Sequence, residues 1–253
     1  MFRAIYQIRS GIAAQMQSQL TNPLGLFLTQ GCSVCDRPTF GPFCLDCHRQ
    51  IQDLCSPPRS WESVPEQPFS INALGPYAGP LKQAILALKY RGRPDVARVL
   101  GTALGKQWLS QSSQLSTPFT PQTPPSRKPL QHALCVVPIP LHPSRQAQRG
   151  YNQATLIAKA FCQATGLPLL VNGLRRVQNT QPQHQLGLLS RQKNLSQAFQ
   201  IGSQQWQRPS QPNVLLIDDI YTTGTTVNSA ASVLASAQIK TVGVLTLARA
   251  TSD

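Results

Sequence analysis

The sequence predicts an α/β fold, a largely parallel sheet flanked by helices, preceded by a small cysteine-bearing module. Three observations predict it. Apolar runs without alternation, ALCVVPIP and Val214–Ile217, read as strands buried on both faces, and segments with helical apolar spacing lie between them. Two adjacent carboxylates, Asp218 and Asp219, close the second run and precede a Thr/Gly-rich turn, where open α/β sheets bind ligands. Four cysteines crowd into GCSVCDRPTFGPFCLDC.

In chain order, residues 1–30 place Ile5, Ile8, Ile12, Met16 and Leu20 three or four apart, with Gln and Ser between. That is an amphipathic-helix pattern, suited to packing on the rest of the protein or to touching a membrane surface, and not a secretory signal. No segment approaches the roughly 20 apolar residues that cross a bilayer, so a cytoplasmic protein with reduced thiols is expected. Residues 31–56 hold Cys32, Cys35, Cys44 and Cys47 as two Cys-x-x-Cys pairs. Pro38, Gly41 and Pro42 suit a hairpin that brings the pairs together. Four converging thiolates favour a structural Zn, against the rival readings of two redox disulfides or an iron–sulfur cluster. His48 and Cys55 are alternative ligands nearby. Such a closed site serves folding and not catalysis.

A Pro- and Ser-rich linker follows, and the main domain spans residues 69–253. Leu81, Ala84, Ile85, Leu88 and Tyr90 fit a helix, and a second helix is expected from about Asp95 to Leu109. Residues 110–131, low in apolar content and with five prolines, read as a mobile insertion. Cys135 precedes an apolar strand, Tyr151–Thr165 is helical with Cys162 in its core, and Leu167–Val171 is a short strand. Val214–Ile217 is a buried strand. Val227–Gln238 is a helix with Val227, Ala230, Ala231, Leu234 and Ala237 on one face, and Thr241–Leu247 is a final strand.

The formal net charge is +14, yet only 13% of residues are charged. The sign comes from a shortage of acids, with none between Asp95 and Asp218. This balance favours anionic partners: phosphorylated metabolites, nucleic acid or anionic lipid. In so basic a field, Asp218 and Asp219 beside the hydroxyls and N–H groups of Thr222, Thr223, Gly224, Thr225 and Thr226 suit a ligand carrying both hydroxyls and phosphate, a sugar phosphate.

The run VLLIDDIYTTGTT resembles the 5-phosphoribosyl 1-diphosphate loop of type I phosphoribosyltransferases. LKYRG (Leu88–Gly92), VVPIPLHPSRQAQRGYNQATLIAKAF (Val136–Phe161) and RRVQNTQPQHQLGLLSRQKNLSQAF (Arg175–Phe199) resemble the ComF family of phosphoribosyltransferase-like proteins, as does the order of cysteine module and then transferase-like domain. The resemblance implies a type I phosphoribosyltransferase-like sheet behind a four-cysteine zinc module. It implies that Asp218 and Asp219 are the catalytic acids, holding the ribose hydroxyls directly or through Mg. Thr222, Thr223, Gly224, Thr225 and Thr226 would hold the 5-phosphate. Pro138–Gly150 stands in the place of the diphosphate loop, with Arg145 and Arg149 as its cations. Asn179–Lys193 stands in the place of the loop that closes over the site, where Thr180, Gln183 and Arg191, with Asn194 beyond them, are the matching polar positions.

The implied activity is pentosyl transfer from 5-phosphoribosyl 1-diphosphate, with cations neutralising the leaving diphosphate at an oxocarbenium-like transition state. The acceptor is not named by the sequence. Thr222 stands where enzymes salvaging 6-oxopurines carry an acid, which weighs against those bases, and Ser190 stands where the family often has an acid. The family's implied setting is natural competence: single-stranded DNA and competence-machinery proteins as partners, in the cytoplasm or peripheral to the inner membrane. Two other readings stand beside it, a phosphoribosyltransferase of nucleotide metabolism and a non-catalytic DNA-binding scaffold. For a DNA partner, Lys82, Lys89, Arg91, Arg93, Arg98 and Lys106 form a basic stretch with Tyr90 available to stack, though a solvated helical face is an equal reading. Replacing both aspartates by asparagine is expected to abolish ligand binding without unfolding the protein.

Overall fold

The computed structural model describes residues 30–63, 67–112, 134–178, 198–202 and 213–250. The amphipathic pattern at 1–29 lies outside them, as does the insertion from 113 onward.

The cysteine module contains β1 (Gln30–Gly31) paired antiparallel with β2 (Pro38–Thr39), then α1 (Leu45–Leu54). The larger unit contains β3 (Glu62–Ser63), β4 (Ser70–Pro76), α2 (Gly79–Tyr90), α3 (Asp95–Ser112), β5 (Leu134–Pro138), α4 (Pro143–Arg149), α5 (Gln153–Thr165), β6 (Leu174–Arg176), β7 (Phe199–Ile201), β8 (Asn213–Tyr221), α6 (Thr225–Ser236) and β9 (Lys240–Arg249). Its sheet runs β3–β4–β9–β8–β5. The four strands from β4 to β5 are parallel, and β3 is an antiparallel edge. β6 and β7 form a separate antiparallel pair.

The missing alternation in the strands has a direct cause. Leu215 and Ile217 of β8 pack into a core with Leu81, Leu88, Leu100, Ile157 and Phe161 from α2, α3 and α5. Val214 and Leu216 point the other way, into a second core with Leu174, Phe199, Val227, Ala230 and Leu234. Each face is covered, so every position is apolar. Cys135 lies inside β5, buried, instead of ahead of it. The short strand expected at 167–171 reduces to one parallel bridge, Leu169 to Val136. β8 runs on through Asp218 and Asp219 to Tyr221, because β9 continues to pair with it, with Asp218 opposite Thr246. α5 starts at Gln153 and not Tyr151, since the Asn152 side chain accepts the Ala154 N–H at 3.0 Å and caps it. α3 extends to Ser112, past the expected end at Leu109.

α3 and α5 approach closely. A Cβ on Gly101 would lie 2.6 Å from the Ile157 carbonyl oxygen, and one on Gly105 would lie 2.8 Å from Ala164 Cβ. Contacts advance together along both helices, so they run parallel with their N-termini at the same end. The cysteine module joins the same core: Cys32, Cys47 and Ile51 cluster with Leu74 and Leu81. No helix of the described residues is long and apolar enough to cross a membrane.

Candidate functional site

Asp218 and Asp219 occupy the carboxyl end of β8, and strand alternation sends them to opposite faces. Asp219 follows Leu215 and Ile217 toward the α2, α3 and α5 side, where it is 4% exposed. There Lys89 Nζ, from the last turn of α2, stands 2.8 Å from its Oδ1. The Gln153 Nε2 amide, at the first residue of α5, donates to its Oδ2 at 2.6 Å. Burial opposes the Lys89 charge, but the Asp219 carboxylate outweighs it and Asp218 adds to it, so the ammonium pKa is raised. The Gln153 side-chain oxygen Oε1 accepts from Arg149 Nη1 at 2.5 Å. The Arg149 guanidinium lies 5.5 Å over the Tyr90 ring, next in sequence to Lys89. A closed circuit therefore links α2, α4, α5 and β8. The Tyr151 hydroxyl, donating to the Leu88 carbonyl at 2.5 Å, and Asn152 Nδ2, donating to the Ile139 carbonyl at 3.0 Å, fix its supports.

Asp218 turns toward the β6 side. Its Oδ1 accepts the Asp219 backbone N–H at 2.8 Å. Burial first, and then the neighbouring Asp219 charge, push its carboxyl up to about 7, against the pull of that N–H, Lys89 and Arg176. Arg176 lies 5.3 Å over the Phe199 ring. Burial, followed by repulsion from Arg145, lowers its pKa while Asp218 acts the other way, so Arg145, Arg176 and Asp218 share one neighbourhood.

Beyond Asp219 the chain leaves β8 at buried Tyr221 and turns through exposed Thr222 and Thr223. Gly224 has φ +75° and caps α6 without a side-chain bond. A Cβ there would also collide with Tyr221. Glycine thus meets two demands at once, left-handed backbone and lack of room. Thr223 and Thr225 hydroxyls meet at 2.6 Å, Thr226 is half-buried beside them, and the first N–H groups of α6 have no side-chain cap. Hydroxyls and N–H groups at a helix start form an anion cradle. A groove of about 390 Å³ opens between α4, α5 and β6, with Lys159, Arg175 and Arg176 in its wall.

The expected site residues divide accordingly. The turn residues Thr222–Thr226 follow directly from the end of β8 that carries Asp218. Arg145 is half-buried on α4, near Arg176. Arg149 is committed to Gln153 and Tyr90. Thr180, Gln183, Arg191 and Asn194 lie outside the described residues. Both oxygens of Asp219 hold protein donors, and one oxygen of Asp218 holds a backbone N–H.

The basic stretch does not present one continuous face. Lys89 pairs with Asp219, Arg93 Nη2 pairs with Asp95 at 2.8 Å, and Arg91 donates to Gln83 at 3.2 Å. Lys82, Arg98 and Lys106 remain exposed. Lys89, Gln153 and Arg176 are the residues that sequence reasoning missed at the site. One signal pointed to Lys89: it sits four residues after Ile85 and eight after Leu81, within the apolar stripe of α2. A cation in such a stripe needs a buried acid, and the chain has few.

The four module sulfurs, from Cys32, Cys35, Cys44 and Cys47, all lie within 4.8 Å of one another. Cys35 and Cys44 Sγ are 3.7 Å apart, matching the edge of about 3.8 Å that follows from tetrahedral Zn–S bonds of about 2.3 Å. Arg37 Nε donates to Cys35 Sγ and the Cys44 N–H to Cys32 Sγ, each at 3.3 Å. The Arg37 bond draws the Cys35 thiol down to about 6. This donor set fits Zn. His48 stacks on Phe43 instead of joining the cluster, and Cys55 is pressed against Gly75.

No protein-family model matches the chain. It is 27% identical over 229 residues to competence protein F of Haemophilus influenzae, covering 87% of this chain and 90% of that one. It is 27% identical to the DNA utilization protein YhgH of Escherichia coli K12, covering 84% and 87%. With competence protein ComFC of Bacillus subtilis it shares 25% identity over 62% of this chain and 55% of the other. Among solved structures, adenine phosphoribosyl transferase from Trypanosoma brucei, in complex with AMP, pyrophosphate and ribose-5-phosphate, is similar at a TM-score of 0.36 and 11% identity, covering 79% and 66%. The ComF resemblance holds over most of the chain.

Proposed function

We propose that this ComF-type chain binds 5-phosphoribosyl 1-diphosphate at the carboxyl end of β8 and acts in natural competence, in the handling of incoming single-stranded DNA. The observation that carries the reading is the half-buried carboxylate of Asp218 near the end of β8, on the strand that leads directly into the Thr222–Thr226 cradle. In this reading the cradle takes the 5-phosphate and Asp218 accepts from a ribose hydroxyl. Arg145 and Arg176 face the diphosphate side, where guanidinium can pair two phosphate oxygens at once. Mg accompanies the diphosphate as its counter-ion. Transfer breaks the bond from the anomeric carbon to the diphosphate oxygen, and the cations stabilise the charge on that leaving group. The resemblance supports phosphoribosyl transfer as the activity, with the acceptor as the undefined partner.

Calorimetry of 5-phosphoribosyl 1-diphosphate on the zinc-loaded protein tests this. Binding that is lost in Asp218→Asn, with the fold retained, is the expected result. Equal affinity in the variant would overturn it. A direct nucleic-acid contact is the second reading, favoured by Tyr90, which is 73% exposed with Arg149 over its ring. It requires single-strand binding that weakens steeply with salt and drops in Tyr90→Ala.

A further inference from the structure

Asp219 sits where the resemblance puts an acid that meets the ribose or a metal, yet both its oxygens are taken. Lys89 Nζ stands 2.8 Å from Oδ1, and Gln153 Nε2 donates to Oδ2 at 2.6 Å. Both donors are held from behind. Lys89 rides on α2, whose Leu81, Ala84, Ile85 and Leu88 are fully buried and whose last turn is anchored by the Tyr151 hydroxyl. Gln153 cannot reverse its amide, because Arg149 only donates and so must face the side-chain oxygen. A divalent ion at Asp219 would have to displace an ammonium from a carboxylate side chain that is 6% exposed. Mg, which sheds its water reluctantly, is poorly suited to that exchange.

We propose that Lys89 is the resident cation of this site, standing at Asp219 in place of a protein-held divalent ion, so that ribose 5-phosphate binds without Mg. The proposal rests on the reading of Asp218–Thr226 as a ribose-phosphate site. An ammonium has three N–H donors, and one goes to Asp219. Among the described residues Asp219 is its recorded partner, and the other N–H groups can turn to a hydroxyl or phosphate oxygen arriving near Asp218, whose charge also reaches Lys89. Asp219 is then a positioning residue, holding Lys89 and Gln153, while Asp218 is the acid that meets the sugar.

The test titrates ribose 5-phosphate and 5-phosphoribosyl 1-diphosphate into zinc-loaded protein, in buffer cleared of divalent ions by resin, with and without millimolar Mg. Ribose 5-phosphate affinity should change by less than about threefold with Mg. Lys89→Met should weaken it at least about tenfold, the loss of one hydrogen bond from a charged donor. Because Lys89→Met strands a buried carboxylate, the same titration is run on Lys89→Met/Asp219→Asn, which removes both charges and should stay folded and equally weak. Binding that requires Mg, or wild-type affinity in the double variant, overturns the proposal alone. If neither ligand binds in either buffer, the ribose-phosphate reading itself fails and the proposal with it.

Discussion

Breaking the Lys89–Asp219 pair should cost stability as well as binding. At 2.8 Å, two unit charges attract by about 6 kcal/mol at an effective dielectric of about 20, before desolvation is subtracted. Experience with buried pairs puts the cost of removing one partner at about 3–5 kcal/mol, since the other charge is left buried and unpaired. Lys89 keeps 18% of its side chain exposed and Asp219 only 6%, so the lower end, about 3 kcal/mol, applies. In Asp219→Asn the new amide can accept from Lys89 or from Gln153, but its NH2 then faces the other donor. In Lys89→Met the carboxylate keeps Gln153 alone. In the double variant no charge remains, and the asparagine oxygen accepts from Gln153, so much of the loss should return. Urea unfolding of the zinc-loaded protein measures this. With an m-value of about 2–3 kcal/mol/M, each single variant shifts the midpoint down by about 1 M. The double should fall short of the additive sum by at least about 2 kcal/mol. Single costs below about 1 kcal/mol with strict additivity would refute the idea that the pair is desolvated. A stability loss in Asp219→Asn would make Asp218→Asn the cleaner probe of the ligand.

Other outcomes follow from the same geometry. A carboxyl raised to about 7 stabilises the fold fully below its unfolded pKa of about 4, and that contribution disappears as pH rises through 7. Affinity for a ligand that donates to the ionised form runs the other way, rising through about 7; calorimetry of the wild-type protein across that range should show this step beside the phosphate titration near about 6. Gly224→Ala should lower stability by about 1–2 kcal/mol from the left-handed backbone alone, with a further cost as Tyr221 moves, read as a fall in melting temperature and weaker phosphate binding. Cys44→Ser, or removal of metal by a strong chelator, should abolish one bound zinc per chain. Amide exchange should then quicken in α1 and α2 before it does in β8, because Cys47 and Ile51 share a core with Leu81.

The elements that could be read ahead of the structure were those whose signal is local. β8 and α6 announce themselves through unbroken apolar residues and a 3.6-residue stripe, and the cysteine pairs through spacing. β4 escaped notice because Asn72, Gly75 and Pro76 are poor strand formers. Its Asn72 is tolerated only through partners far along the chain: Gln107 Nε2 donates to its Oδ1 at 2.7 Å, and its Nδ2 donates to the Arg59 carbonyl at 2.6 Å. The site divides in the same way. The acids and the threonine turn lie together in sequence. Lys89 and Gln153 reach Asp219 from separate helices, and a lysine destined for an ion pair has the same letter as one facing water. Arg149 shows the converse, a residue whose motif suggests phosphate but whose guanidinium is engaged by a glutamine and a tyrosine.

Gly101 and Gly105 meet α5 at Ile157, Ala160, Phe161 and Ala164, and they act as a ruler for the site. Where they let α3 and α5 meet backbone to backbone, they set how far Gln153, at the head of α5, stands from the turn that joins α3 to the helix bearing Lys89. A single methyl at Gly101 would spread the helices and detune a contact several residues away. A mutational scan scored by ligand binding alone would therefore rank these two glycines with the binding residues, and only a parallel measurement of helix spacing would tell a ruler from a ligand contact.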